Sequence, residues 1–274
     1  MGVFMDDFIR LDRIHKEFVV YERPEGKWGI LKGAFVRKKK RGEALKELSF
    51  TITKGELVGY IGPNGAGKST TVKIMSGILT PDTGTCIIDG RVPWRDRIEH
   101  VSRIGVVFGQ RSQLWWDVPI RDSFALLKDI YNIPDHNYTK RLSELLERLQ
   151  VEDLLMTPAR QLSLGQRMRC EIVAALLHSP QILFLDEPTI GLDAVSKLEL
   201  RAFLKEENER SGVTILMTTH DMDDIEAVCN RVMVIGHGML LYDGTLSELR
   251  ERYETQEKQD IDEIIVRMYQ ALGV

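Results

Sequence analysis

The stretch Gly62-Pro63-Asn64-Gly65-Ala66-Gly67-Lys68-Ser69 restricts the fold of this chain more than any other, because of what lies on either side of it. Leu57-Val58-Gly59-Tyr60-Ile61 before it is a short apolar run of strand type, and Thr70-Thr71-Val72-Lys73-Ile74-Met75 after it continues as a helix. A strand that passes through a glycine-rich turn directly into a helix is a unit of α/β folds, and the spacing G-x-x-x-x-G-K-S is that of a phosphate loop. Glycines let the backbone fold tightly, so consecutive N–H groups converge at the positive end of the helix, where an anion is stabilised. Lys68 supplies a mobile cation for the β- and γ-phosphates of a nucleotide. Ser69 offers a hydroxyl to the Mg²⁺ ion that bridges them.

Further strands are expected at Cys86-Ile87-Ile88, Ile104-Gly105-Val106-Val107-Phe108, Ile182-Leu183-Phe184-Leu185, Val213 to Thr219 and Val232 to Ile235. Strands alternating with helices predict a mainly parallel sheet covered on both faces. From Asp117 to Pro158 the strand-like runs stop, and Leu142, Leu145, Leu146 and Leu149 fall on one helical face. This predicts a helical subdomain, over about 117–180, inserted into an α/β domain that spans 1–250. A helical tail follows over 251–274, with Thr245 and Glu248 spaced as a capping box and Ile261, Ile264, Ile265, Met268 and Leu272 on one face. That face either docks on its own domain or binds a partner.

The 274 residues suffice for a buried core, and 43% hydrophobic and 28% charged residues with net charge −4 fit an ordinary soluble domain rather than a nucleic-acid coat. Cys86, Cys170 and Cys229 are too scattered for a metal site and read as free thiols in a reducing compartment. No leader-like run opens the sequence, and no apolar stretch reaches the roughly eighteen residues a membrane helix needs. Between Val20 and Glu43, a turn-rich segment leads into Arg37-Lys38-Lys39-Lys40-Arg41, expected to be a solvated loop or a contact for anionic lipid headgroups.

Asp186 ends the apolar run Ile182 to Leu185, which is how a buried strand delivers a carboxylate to a metal ion. Glu187 beside it is either a surface acid or a general base that polarises water in line with the γ-phosphate. His220 follows Thr218-Thr219 at another strand end, on the sheet edge where open α/β sheets bind ligands, and is placed to contact the γ-phosphate. Gln110 also closes a strand, and its amide can coordinate Mg²⁺ or hold the attacking water.

Taken in order, the phosphate loop at Gly62 to Thr70, Gln110, Leu162-Ser163-Leu164-Gly165-Gln166, Asp186-Glu187, Gly191-Leu192-Asp193 and His220 resemble the ATPase subunit of ATP-binding cassette (ABC) transporters. The resemblance covers the chain from Phe8 to about Leu249. It implies a nucleoside-triphosphatase α/β core with an N-terminal antiparallel β portion and the helical insertion, using ATP and Mg²⁺. By the same likeness Phe18 stacks on adenine, with Tyr21 as a competitor. Ser163, Leu164, Gly165 and Gln166 close on the ATP of a second ATPase subunit, identical or different, and Asp193 lies in the loop that crosses the dimer. Family members usually carry glycine where this chain has Leu164.

The segments Val106 to Asp117 and Gln166 to Glu171 resemble a bacterial branch paired with separate export-type permeases, including daunorubicin-like and viologen exporters. In that branch Trp115 and Trp116 sit where the permease docks, although packing inside the helical subdomain would also account for them. The implied place is the cytoplasmic face of the membrane, held there through integral membrane permease subunits, with no nucleic acid as partner. A non-transport ABC ATPase, acting as a soluble regulator or assembly factor, shares the same core. A nucleotide kinase shares the loop and leaves Leu162 to Gln166 unexplained.

Overall fold

A computed structural model of the chain describes residues 7–22, 38–109, 111–253 and 261–272. Two sheets form its centre. Strands β1 (Asp7–Glu22), β2 (Lys38–Thr53) and β4 (Thr83–Ile88) make a three-stranded antiparallel sheet in the order β2-β1-β4. The second sheet has six strands in the order β5-β6-β7-β3-β8-β9, from β3 (Leu57–Ile61), β5 (Ile104–Phe108), β6 (Ile182–Asp186), β7 (Thr214–Thr219), β8 (Arg231–Gly236) and β9 (Met239–Thr245). Its first five members are parallel and β9 returns antiparallel to β8.

The parallel strands are short and buried on both faces, as the continuous apolar runs require. Their side chains alternate between two cores. Ile182 and Phe184 pack with Ile9, Leu48, Tyr60 and Val72 on the side of the antiparallel sheet and helix α1 (Lys68–Met75). Leu183 and Leu185 pack on the opposite side with α5 (Leu164–Leu176), α6 (Ala194–Ser211) and α7 (Met222–Val228). A helix α2 (Arg97–Val101) precedes β5.

Cys86, Ile87 and Ile88 form a strand as expected, yet it joins the antiparallel sheet rather than the parallel one. The reason is legible in its burial, since Cys86 and Ile88 are covered while Ile87 is 41% exposed. A strand with one wet face suits the antiparallel edge, not a doubly covered position. The basic segment departs further from expectation. Lys38 to Arg41 continue β2 and pair with Glu22 to Val19, so this part is strand and not loop; Arg37 and the turn-rich part lie outside the described residues.

Helices α3 (Ile120–Ile130) and α4 (Asp135–Leu149) precede α5 in the stretch read as a helical insertion. Leu145, Leu146 and Leu149 bury the predicted stripe, and Leu142 lies partly buried beside it. At the C-terminal side, Thr245 and Glu248 form the reciprocal bonds of a capping box at the start of α8 (Leu246–Tyr253). Ile264, Ile265 and Met268 of α9 (Ile261–Leu272) enter the main core, so this helix docks on its own domain. The three cysteines are buried and unpaired. No described helix is long and apolar enough to cross a membrane.

Candidate active site

The parallel register brings the candidate residues to one edge. Ile61, the last residue of β3, lies beside Thr219, and Asp186, the last of β6, lies between Phe108 and Thr218. The phosphate loop, Asp186-Glu187 and His220 therefore leave the same carboxyl edge of the sheet, where α/β sheets bind ligands.

Two glycines are required there on steric grounds. A Cβ on Gly62 would come within 2.4 Å of the Ile235 carbonyl oxygen. Gly67 caps α1 with φ 112°, and a Cβ there would meet the Ala44 carbonyl oxygen at 2.6 Å. Within the turn, Ala66 N–H donates to the Pro63 carbonyl at 3.1 Å, while Asn64 and Gly65 are exposed at its tip. Lys68 is 5% exposed, and its ammonium donates to the carbonyls of Gly62 at 2.5 Å and Pro63 at 3.3 Å. Burial lowers its pKa, and the neighbouring charges of Glu187 and Asp186 oppose that shift without cancelling it.

Asp186 Oδ1 accepts from Ser69 Oγ at 3.2 Å and from Thr218 Oγ1 at 2.7 Å. This set of hard oxygens suits a divalent cation such as Mg²⁺. Glu187 adopts φ 55°, a left-handed conformation unusual for a residue with a side chain. Its N–H holds that conformation by donating to both the carbonyl and the hydroxyl oxygen of Thr218, each at 3.0 Å. His220 Nδ1 lies 3.7 Å from Glu187 Oε1. Gly109 closes the other wall, because a side chain there would strike the Glu187 carbonyl at 2.6 Å. Asn64, Ser69, Lys73, Arg111, Asp186 and Glu187 line a cleft of about 370 Å³, within the range for small-molecule sites.

An ammonium in a glycine loop, an oxygen pair suited to a metal and a carboxylate beside a histidine are groups that phosphoanhydride cleavage can use. The family model described as ABC transporter matches residues 45–190. The chain is 33% identical over 232 residues to the ABC transporter ATP-binding protein NatA of Bacillus subtilis, covering 85% of this chain and 93% of that one. The chain belongs to the ABC transporter family. It is accordingly an ATP-binding ATPase. A second relative, the linearmycin resistance ATP-binding protein LnrL of the same organism, is 33% identical over 208 residues, covering 76% of this chain and 66% of its own. Among solved structures, a dimeric ATP-binding cassette in a post-hydrolysis state bound to ADP and Pi has 26% identity and a TM-score of 0.71, covering 87% of this chain and 98% of that chain.

Other residues singled out in the sequence lie around this cassette. Gln110 falls outside the described residues, between Gly109 and Arg111, which both line the cleft. Phe18, in β1, is 38% exposed, and Gly42 opposite leaves its ring without a cross-strand side chain. Gly42 is two residues from Ala44, whose carbonyl abuts Gly67. The side chain of Tyr21 lies outside the described residues. Ser163 caps α5 in a complete capping box, its Oγ accepting from Gln166 N–H at 3.2 Å while Gln166 Oε1 accepts from Ser163 N–H at 2.9 Å. Leu164 lies over Gly191, and Gly165 faces Ser196 Oγ, so this segment and the loop before α6 share one surface. Asp193 caps α6, accepting from Ser196 N–H and Oγ at 2.9 Å each. Those bonds, the backbone one first, hold its pKa below the usual carboxylate value.

Trp115 and Trp116 are both exposed, at 57% and 52%, so neither is buried inside the helical layer. The Arg167 guanidinium lies 5.9 Å from the Trp116 ring centroid. Sequence reading missed Thr218 as the residue that orients Asp186 and Glu187. Its place one step before Thr219-His220 at a strand end was the available signal.

Proposed function

We propose that this ATPase dimerises around two Mg·ATP and powers a separate membrane permease in the export direction, at the cytoplasmic face of the membrane. The observation that carries the reading is the division of the site. Ser163 is exposed at the head of α5 and is absent from the residues that line the cleft around Ser69, Asp186 and Glu187. A second subunit, identical or different, brings its Ser163, Gly165 and Gln166 to the γ-phosphate held by this one, with Leu164 beside them. The helix N-terminus there favours an anion. The dimeric form of the related cassette supports the same arrangement.

In this reading Phe18 carries the adenine and Gly62 to Thr70 the phosphates. Ser69 and Asp186 would hold Mg²⁺, which would supply positive charge against the phosphoryl group, with Gln110 as a further ligand or water holder. Glu187 draws the proton from the attacking water, and His220 contacts the γ-phosphate. Asp193 lies in the loop that crosses the dimer. The arm formed by residues 117–180 carries Ser163, and Trp115 and Trp116 present two indoles to the permease. Resistance in the name of one relative, together with the likeness of the tryptophan segment to exporters, supports the outward direction.

ATP contacts both halves only when they are closed, so its binding energy drives closure and its hydrolysis releases it. Glu187→Gln is expected to bind ATP with unchanged affinity, to hydrolyse it at least 100-fold more slowly, and to elute as a dimer with Mg·ATP. Wild-type turnover in that variant would remove the general-base assignment. Purification from solubilised membranes is expected to bring down a multi-span partner, and a wholly soluble complex would count against transport.

A further inference from the structure

Asp224 is fully buried in α7 and belongs to none of the motifs that describe the site. Its carboxylate joins three parts of the chain. Oδ2 accepts the hydroxyl of Thr189, two residues after Glu187, and at 3.1 Å the hydroxyl of Thr219, the residue before His220. Oδ1 accepts from Arg201 of α6, from Nε at 2.7 Å and Nη2 at 2.5 Å. Thr189 and Thr219 are 3% and 1% exposed, so neither hydroxyl has water as a substitute partner.

The adjacent threonines divide their work. Thr218 turns its hydroxyl to Asp186, and Thr219 turns to Asp224, as successive residues at a strand end point to opposite faces. Asp221 adds a second tie, because its N–H donates to Thr219 Oγ1 at 2.9 Å while its carboxylate pairs with Lys197 of α6. Lys197 and Arg201 lie one helical turn apart on α6, which starts at the cap Asp193.

We propose that Asp224 is a positioning residue that fixes the approach of Glu187 to His220 and links that pair, through Arg201, to the helix that begins at Asp193. The proposal rests on Glu187 acting as the general base. A buried carboxylate with hydroxyl donors on one oxygen and a guanidinium on the other cannot let one partner shift without breaking bonds to the rest. A movement of α6 at the dimer surface is thereby carried to both Glu187 and His220.

The test uses the full chain with Mg·ATP. Asp224→Asn is expected to lower kcat on the order of 10- to 100-fold, the cost of misplacing a reacting group by about 1 Å, with the Kd for ATP within twofold of wild type. Thr189→Val and Thr219→Val each remove one hydroxyl at constant shape and are expected to lower kcat in the same sense. In the Asp224→Asn background the Thr189→Val loss should shrink well below additivity, since both changes act on the same Oδ2 bond, whereas Thr219→Val keeps the part that comes from its bond with Asp221 N–H. Wild-type kcat in Asp224→Asn would overturn the proposal, as would an additive loss in the Thr189→Val double variant or a Kd that rises as much as kcat falls. If Asp224→Asn does not fold, wild-type kcat in both threonine variants overturns it. Glu187→Gln is run alongside. Loss of turnover there with wild-type turnover in Asp224→Asn removes only the role of Asp224, whereas turnover in Glu187→Gln removes the general-base reading on which it stands.

Discussion

At the scale of single residues, Lys68 is the cation that the proposed function sets against the phosphates. Its ammonium is nearly out of water and is held by two loop carbonyls, while Asp186 and Glu187 favour its charged form against burial. A neutral side chain would leave those carbonyls and carboxylates without a cation. Lys68→Ala is expected to weaken ATP binding roughly 10- to 100-fold, the worth of one charge-assisted hydrogen bond; unchanged affinity in a calorimetric titration would remove Lys68 from the phosphate site. Glu187 illustrates the opposite economy. Its backbone sits at φ 55° and is held there by Thr218, so a strained conformation is stabilised by bonds from the neighbouring strand.

At the scale of elements, α5 has one N-terminus for two tasks. The Ser163 hydroxyl satisfies a first-turn N–H of its own helix and, in the proposed dimer, faces the phosphates of the other subunit. These tasks separate by substitution. Ser163→Ala is expected to lower stability by about 1 kcal/mol through the lost cap, read as a lower thermal midpoint. Ser163→Asp keeps an oxygen for the cap and is expected to unfold close to the wild-type temperature, yet to lose ATP turnover because it places an anion against the γ-phosphate. Wild-type turnover in that variant would show that Ser163 does not meet ATP. Leu164 and Gly191 belong to the same scale, since glycine at 191 leaves room for the leucine that lies on it.

Across the whole molecule, the helical layer is tied to the sheet by buried polar contacts as well as apolar ones. Glu207 of α6 is fully buried and pairs with Arg141 at 2.5 Å and with Arg148, both from α4. His178, after α5, stacks on Tyr131, after α3, at 3.9 Å and bonds the Ile104 carbonyl of β5 at 2.9 Å. Burial pushes its pKa down to about 4 from the usual 6.5, against the opposing effect of that carbonyl. The folded state therefore takes up the proton at lower pH than the unfolded chain does. Stability from this residue is full above about pH 6.5 and is lost as pH falls toward 4, by at most about 3 kcal/mol. His178→Phe retains the ring stack and is expected to flatten urea-unfolding stability between pH 4 and 6.5. An unchanged acid slope would place the effect elsewhere.

The glycine loop, the carboxylate pair at the end of β6 and the histidine at the end of β7 were legible in the sequence because each is a local pattern. Apolar runs define the strands, their last residues define the edge, and parallel register brings those ends together. The stripe of α4 and the cap of α8 were legible for the same reason, as period and spacing are properties of neighbouring residues. What only tertiary structure decided are the pairings between distant segments. Cys86-Ile87-Ile88 could join either sheet until its neighbour β1 was placed, and Lys38 to Arg41 read as loop until Val19 to Glu22 lay beside them. Thr218 and Asp224 carry no motif. Their contacts arise because partners far apart in the chain, Asp186, Thr189 and Arg201 among them, converge on two side chains that are themselves fully buried and must find protein partners.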